Sequence, residues 1–262
     1  MSYKLVAIDL DDTFINSKHQ FTQRTKEAVK SAVKKGVSIV IATGRTYRGT
    51  LRYIQRINLK APTITCGGAM VIDRRGNKIY ESQVSHEQAK RVLEYAKSIG
   101  VHSQVYLNDD FVFPIRTEYT KIYEGFFGFP GVEAPDLLEY KDLTTPKVLF
   151  ISEPEKIIEI QKEAAALFPE LMVARSKPFY LEFNNPKASK GAALEFLAND
   201  MGIPREEVIA IGDSEIDASM IEYAGLGVAV ENAIPSVKEK ADFITCSNDQ
   251  EGVAHVLEKY VL

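Results

Sequence analysis

Apolar residues recur along this chain in two registers. Between residues 22 and 35 they fall at helical spacing, with Ala28, Val29, Ala32 and Val33 on one face and Lys26, Lys30 and Lys34 on the other. Thr22 can cap this segment and Gly36 can end it in the left-handed region. Two β-branched runs, "LVAI" at 5 to 8 and "VSIVIATG" at 37 to 44, enclose the helix. Strand, helix and strand within 40 residues predict a right-handed parallel crossover. The expected fold is therefore α/β, a doubly wound, mostly parallel Rossmann-like sheet with sites beyond the carboxyl ends of its strands.

A third strand, "PTITC", leads into "AMVIDRRGNKIYES", where two strand-like runs flank turn residues 74 to 77. The pattern then changes. A helix over 86 to 99, a hairpin in "HSQVYLNDDFVFP", a strand "KVLFIS", a helix over 154 to 167 and a strand "FYLEFNN" predict an antiparallel α+β insert, because hairpins need no crossover. After Pro186 the alternation returns: a helix from Ser189 to about Met201, a strand "EVIAIGDS", a helix over 215 to 223, a strand "LGVAV", and a final helix to Tyr260. The predicted layout is a core of residues 1–83 and 186–262 interrupted by a smaller domain, 84–185, with no internal repeat.

Composition narrows the partners. The net charge is −4 and Lys and Arg are scattered among acids, which argues against nucleic acid. Cys66 and Cys246 are the only cysteines, too few and too far apart for a disulfide framework or a thiolate zinc site. No apolar run approaches membrane-spanning length and the N-terminus lacks the features of a secretory signal, so a cytoplasmic protein, monomer or homodimer, is expected.

The chemistry is concentrated at strand ends. "KLVAIDLDDTFIN", residues 4 to 16, ends a strand in Asp9, Asp11 and Asp12, an arrangement that costs repulsion and desolvation and so implies a task beyond folding. "VIAIGDSEID" does the same with Asp213 and Asp217, and a parallel sheet brings both sets to one edge with Thr43. The four carboxylates of Asp9, Asp11, Asp213 and Asp217 there call for a cation, and hard oxygen donors suit Mg²⁺, which also accepts phosphate oxygens. Lys190 falls just inside a helix N-terminus capped by Ser189, where a cation is disfavoured unless an anion, such as a phosphate, lies near. A carboxylate could then attack phosphorus.

Taken together, "DLDDT" from Asp9, "TGR" from Thr43, "SKG" from Ser189 and "GDSEID" from Gly212 resemble, in order and spacing, the four motifs of the haloacid dehalogenase-like phosphatases. The insert between the second and third motifs resembles the type 2 cap of the Cof subfamily. The resemblance implies Asp9 as nucleophile and Asp11 as general acid and then base. It implies Thr43, Gly44, Arg45 and Lys190 at the phosphate, and Mg²⁺ held by Asp9, the Asp11 carbonyl and Asp213. Asp217 would support the metal or orient Lys190, with Thr13 bracing the loop and Asn232 near the metal edge. The implied substrate is a small phosphorylated metabolite, such as a sugar phosphate.

Three positions depart from the family pattern. Asp12 stands where relatives carry Gly, Ile216 where they carry Asn, and Gly67, in "CGGA", where they read Asn-Gly-Ala. These keep two alternatives in view, a phosphomannomutase-like phosphotransferase and a catalytically weakened phosphometabolite binder. A receiver-type phosphoacceptor is disfavoured, because no acid follows the third strand until Asp73. Substrate choice is expected in the insert, which would close over the acidic edge and exclude water. Its "YEGFFGFPG" run suits a core better than a ligand wall, and Arg116, Lys121 and Arg175 are candidates for meeting a charged group.

Overall fold

In a computed structural model, which describes residues 2–262 and of Phe126 the backbone alone, the chain first forms β1 (Leu5–Ile8), α1 (Gln23–Lys34), β2 (Ser38–Ala42), α2 (Tyr47–Ile57), β3 (Thr63–Thr65), β4 (Met70–Ile72) and β5 (Lys78–Glu81). It continues through α3 (His86–Ser98), β6 (His102–Leu107), β7 (Asp110–Phe113), α4 (Glu118–Phe127), β8 (Val132–Glu133), β9 (Lys147–Ile151), α5 (Pro154–Leu167), β10 (Met172–Lys177) and β11 (Tyr180–Asn184). It closes with α6 (Lys190–Asp200), β12 (Val208–Gly212), α7 (Ala218–Tyr223), β13 (Leu226–Ala229), α8 (Pro235–Lys238), β14 (Phe243–Ile244) and α9 (Gly252–Tyr260). Two compact units result, Met1–Tyr80 with Ser189–Leu262, and Glu81–Ala188.

The first unit is the doubly wound α/β sheet that the alternation predicts. Its eight strands run β14-β13-β12-β1-β2-β3-β4-β5, parallel from β14 to β3, with β4 antiparallel to β3. The chain winds outward in one direction from β1 through β2 and β3, and in the other through β12, β13 and β14, so the strand order reverses between β1 and β12. In open α/β sheets that switch point opens a crevice at the carboxyl ends of the strands.

Helices cover both faces. Val6 and Ile8 pack with residues of α1 and α9, and Leu5 and Ala7 with α6. All four β1 residues are fully buried, as strands covered on both sides require. Each buried aliphatic side chain of this size contributes about 1.5–3 kcal/mol, which offsets the cost of gathering acids at the strand's end. The Thr22 side chain accepts from Thr25 N and that of Ser189 from Ala192 N, so both anticipated caps form.

The sequence reading missed three helices, α2, α4 and the short α8. In α2, the buried face consists of Gly49, Thr50, Tyr53 and Ile57, small and polar residues that give no aliphatic stripe. Helix α4 holds much of the aromatic run. Another difference is local: the expected helix over 215 to 223 begins as a single 3-10 turn, Glu215–Asp217, before α7.

The second unit is an antiparallel sheet, β10-β11-β9-β6-β7-β8 with one parallel pair at its edge, β7 with β8. On one face Val148, Phe150, Leu181 and Phe183 pack with α3 and α5. On the other, Tyr123 and Phe127 join Tyr106, Phe111 and Phe113, so these members of the aromatic run serve as core; the side chain of Phe126 lies outside the described residues. Arg116 pairs with Glu124 at 2.7 Å, while Lys121 and Arg175 are exposed. Among the described residues, no helix is long and apolar enough to cross a membrane.

Candidate active site

β1 and β12 pair in parallel, Ile8 opposite Ile211, so the residues that leave the two strands, Asp9 and Asp213, emerge side by side at the switch point. After Asp9 the chain leaves the strand through a wide turn over Leu10–Phe14, closed by Phe14 N donating to Asp9 O at 3.1 Å and Ile15 N to Leu10 O at 3.0 Å. Within it Asp11 is extended and Asp12 is left-handed, with φ 61° and ψ 7°. Aspartate tolerates that region better than most residues. The departure from the strand breaks its two-residue alternation, which would otherwise send Asp9 and Asp11 to opposite faces.

Lys190 has no exposed surface, and its Nζ donates to Asp9 Oδ1 and to Asp217 Oδ1, each at 2.5 Å. The anions that compensate this cation at its helix start are therefore two carboxylates of the protein itself. Burial alone lowers the Lys190 pKa, but Asp217 and Asp9 more than reverse it and the ammonium is strongly held. Burial raises Asp9 well above the usual carboxylate range, with Asp217 adding and Lys190 opposing. Asp213 is pushed up to about 7, by burial first and Asp217 second.

Asp217 is saturated with donors. Besides Lys190 on Oδ1, its Oδ2 accepts from Asp213 N at 3.1 Å, Ser214 N at 2.9 Å and Ser214 Oγ at 2.7 Å. It ties the loop after β12 to the lysine. Thr13 Oγ1 donates to Asp213 Oδ1 at 2.6 Å. Oδ2 of Asp9 and Oδ2 of Asp213 have no protein donor among the described residues. Asp9, Asp213 and Asp217 each present an oxygen within 4.8 Å of the others, a hard donor set able to hold a divalent metal ion.

The Asp11 carboxylate is not in that cluster. It is gripped by Arg45, whose Nε donates to Oδ2 at 2.7 Å and Nη2 to Oδ1 at 2.8 Å. Arg45 is itself buried, lies 5.4 Å from the Tyr53 ring centroid, and belongs to the loop that follows β2. In the same loop Thr43 Oγ1 accepts from Arg45 N at 3.1 Å. A Cβ on Gly44 would lie 3.5 Å from Ile216 Cδ1, so the half-exposed isoleucine sits over the turn. Asn232 Nδ2 donates to Asp12 O at 2.7 Å.

Two contributors were not singled out by the sequence: Ser214 and Gly68. Gly68 has φ +96° and a Cβ there would fall 2.1 Å from the Ser189 carbonyl carbon. The glycine lets the loop after β3 press against the start of α6, and so fixes where Lys190 begins.

Fold and site together define a class, a doubly wound α/β protein with acids and a buried lysine gathered at the sheet's switch point. The family model of the haloacid dehalogenase-like hydrolases matches residues 6–257, and the chain belongs to that family. It is 35% identical to YxeH of Bacillus subtilis (strain 168) over 99% of each chain. A haloacid dehalogenase-like hydrolase from Bacteroides thetaiotaomicron superposes with a TM-score of 0.90 at 30% identity, over 98% of this chain and 99% of that one. The HAD subclass IIB sugar phosphatase BT4131 superposes with a TM-score of 0.84 at 25% identity, over 97% and 98%. The protein is an enzyme of the phosphatase branch of this superfamily.

Proposed function

We propose that this enzyme hydrolyses phosphate monoesters of small metabolites, sugar phosphates among them, through a phosphorylated Asp9 and with Mg²⁺ as its ion. The observation that carries the reading is the convergence of Asp9, Asp213, Asp217 and Lys190 at the switch point. The sugar phosphatase activity in the name of the relative BT4131 supports the substrate class.

Asp9 and Asp213, each with an oxygen free of protein donors, would hold the ion, and the Asp11 carbonyl completes the set that the family resemblance implies. When bound, Mg²⁺ supplies positive charge that keeps the carboxylates ionised and offsets repulsion between nucleophile and phosphate. Lys190 orients the Asp9 carboxylate through Oδ1, and an Asp9 oxygen attacks phosphorus. As that oxygen bonds to phosphorus, the ester P–O bond breaks and Asp11 gives a proton to the departing alkoxide. Asp11 then removes a proton from water, whose oxygen displaces Asp9 and releases inorganic phosphate. Arg45 orients Asp11 through the two-pronged pair. Thr43 and the backbone amide of Gly44 bind phosphate oxygens, and Asp217 holds Lys190 in place. Residues 84–185, the insert that the family resemblance implies is a cap, would choose the leaving group.

Phosphate release from p-nitrophenyl phosphate and a panel of sugar and nucleotide monoesters tests this reading, with Mg²⁺, with EDTA, and with Asp9→Asn. Release that needs Mg²⁺ and vanishes in the variant is expected. Undiminished release by folded Asp9→Asn would reject the mechanism.

A further inference from the structure

The turn that carries Asp11 is held from outside by a second pair of side chains. Asn232 Nδ2 donates to Asp12 O, and Asn232 Oδ1 in turn accepts from Asn248 N at 3.0 Å. Asn248 Nδ2 reaches the same turn independently, donating to Ile15 O at 3.1 Å. One residue further, Asp249 Oδ1 accepts from Ser17 N at 2.9 Å. The loop after β14 thus grips the outgoing side of the Leu10–Phe14 turn, more than 230 residues away along the chain.

These contacts fall where the turn is least able to hold itself. Its two internal hydrogen bonds use the carbonyls of Asp9 and Leu10, which leaves those of Asp12 and Ile15 to be met from elsewhere. Asp12 is also left-handed without being glycine, a conformation that costs an L-residue on the order of 1 kcal/mol. Rotation of the Asp12 peptide would release that cost and swing Asp11, its neighbour, away from Asp9. Arg45 fixes the far end of the Asp11 side chain; nothing in that pair fixes its backbone.

We infer that Asn248 is a positioning residue: its side chain holds Ile15 O, while Asn232, steadied by the Asn248 backbone N–H, holds Asp12 O, and the two side chains together keep the Asp11 carboxyl within proton-transfer reach of the leaving oxygen. The inference rests on the proposed role of Asp11 as general acid. A general acid must stand within hydrogen-bond reach of the atom it protonates, roughly 2.6–3.2 Å, and a displacement of about 1 Å costs about 100-fold.

The test exploits leaving-group chemistry. Phenolates as stable as p-nitrophenolate depart without a proton, whereas alkoxides need one. For full-length Asn248→Ala and Asn232→Ala, kcat/KM is measured on p-nitrophenyl phosphate and on the alkyl phosphate that the wild type turns over best. This parameter reports the step in which the ester bond breaks, before Asp11 acts as base. We expect kcat/KM for the alkyl ester to fall about 10- to 100-fold and that for the aryl ester by no more than about 3-fold. Thermal melting checks that both variants are folded, and Asn248→Ser serves if Asn248→Ala is not. Equal losses on the two esters, or no loss on either, would overturn the inference while leaving the hydrolase reading intact. Failure of the wild type to release phosphate from either ester would instead reject the hydrolase reading on which it stands.

Discussion

Lys190 and Asp9 are in contact at 2.5 Å in a place where neither would be stable alone. The lysine satisfies two buried carboxylates, and they satisfy it. Removing one partner of a buried ion pair typically costs about 3–5 kcal/mol, because the remaining charge is stranded. Lys190→Met should therefore lower stability by about 3 kcal/mol and abolish phosphate release. The stability deficit should be smaller at pH 5 than at pH 8, because protonation relieves the stranded Asp9, whose pKa burial already raises. Urea denaturation at the two pH values measures this, and a variant as stable as the wild type at pH 8 would contradict it.

Asp11 and Arg45 make a two-pronged pair. A lysine ammonium cannot reproduce the guanidinium fork, so Arg45→Lys should lower kcat by about 10-fold with the melting temperature nearly unchanged. Steady-state kinetics beside a thermal melt reads both. Unaltered kcat would show that Asp11 needs no such orientation.

Carboxylates packed as Asp9, Asp213 and Asp217 are repel one another until a cation joins them. Adding Mg²⁺ to EDTA-treated protein should raise the melting temperature by several degrees, since a ligand at 100 times its Kd stabilises by about 2.7 kcal/mol. Asp213→Asn should remove most of that response. Equal melting temperatures with and without Mg²⁺ would speak against an ion at these acids.

His102 lies in the second unit, against the rings of Phe113 and Tyr119 and within 3.2 Å of Thr117 Oγ1. Burial lowers its pKa from 6.5 to about 4, with Gln104 opposing. The unfolded chain takes up a proton below pH 6.5 that the folded chain refuses until about pH 4. The stability this neutral ring contributes is thus complete above pH 6.5 and lost as pH falls toward 4, by roughly 2–3 kcal/mol. Denaturation curves at pH 4.5 and 7.5 should show a smaller pH dependence in His102→Asn than in the wild type; identical dependence would refute the assignment.

Gly68 tolerates no side chain, on two counts: its positive φ and the approach of the Ser189 backbone. Gly68→Ala should cost about 3 kcal/mol or more and displace the start of α6. Circular dichroism melts would detect it, and a neutral substitution would mean the loop relaxes freely.

Much of this arrangement is legible before any coordinates. Strand-ending acids at Asp9 and Asp213, with a capped helix starting at Lys190, put three charged groups at one sheet edge because a parallel sheet has only one carboxyl end. Side-chain partners are another matter. That Asp217 would take four donors, or that Arg45 would close on Asp11, depends on rotamers and on loops whose paths no periodicity encodes. Asn248 is the extreme case, an asparagine in a polar turn whose side-chain contact, Ile15 O, lies 233 residues away along the chain. Helix α2 escaped for a related reason: its buried face owes its apolar character to packing, with Gly49 and Thr50 in contact positions.

The strand order has a last consequence, for synthesis. β1 lies between β2 and β12, yet 200 residues of chain separate Ile8 from Val208. A ribosome adding about 5–20 residues per second would leave one edge of β1 bare for roughly 10–40 s, while the whole of Glu81–Ala188 emerges and can collapse on its own contacts. The segment that carries Asp9 therefore waits, the unpaired backbone along one edge of its strand open to chaperones or to other nascent chains, and that strand is made long before it is enclosed.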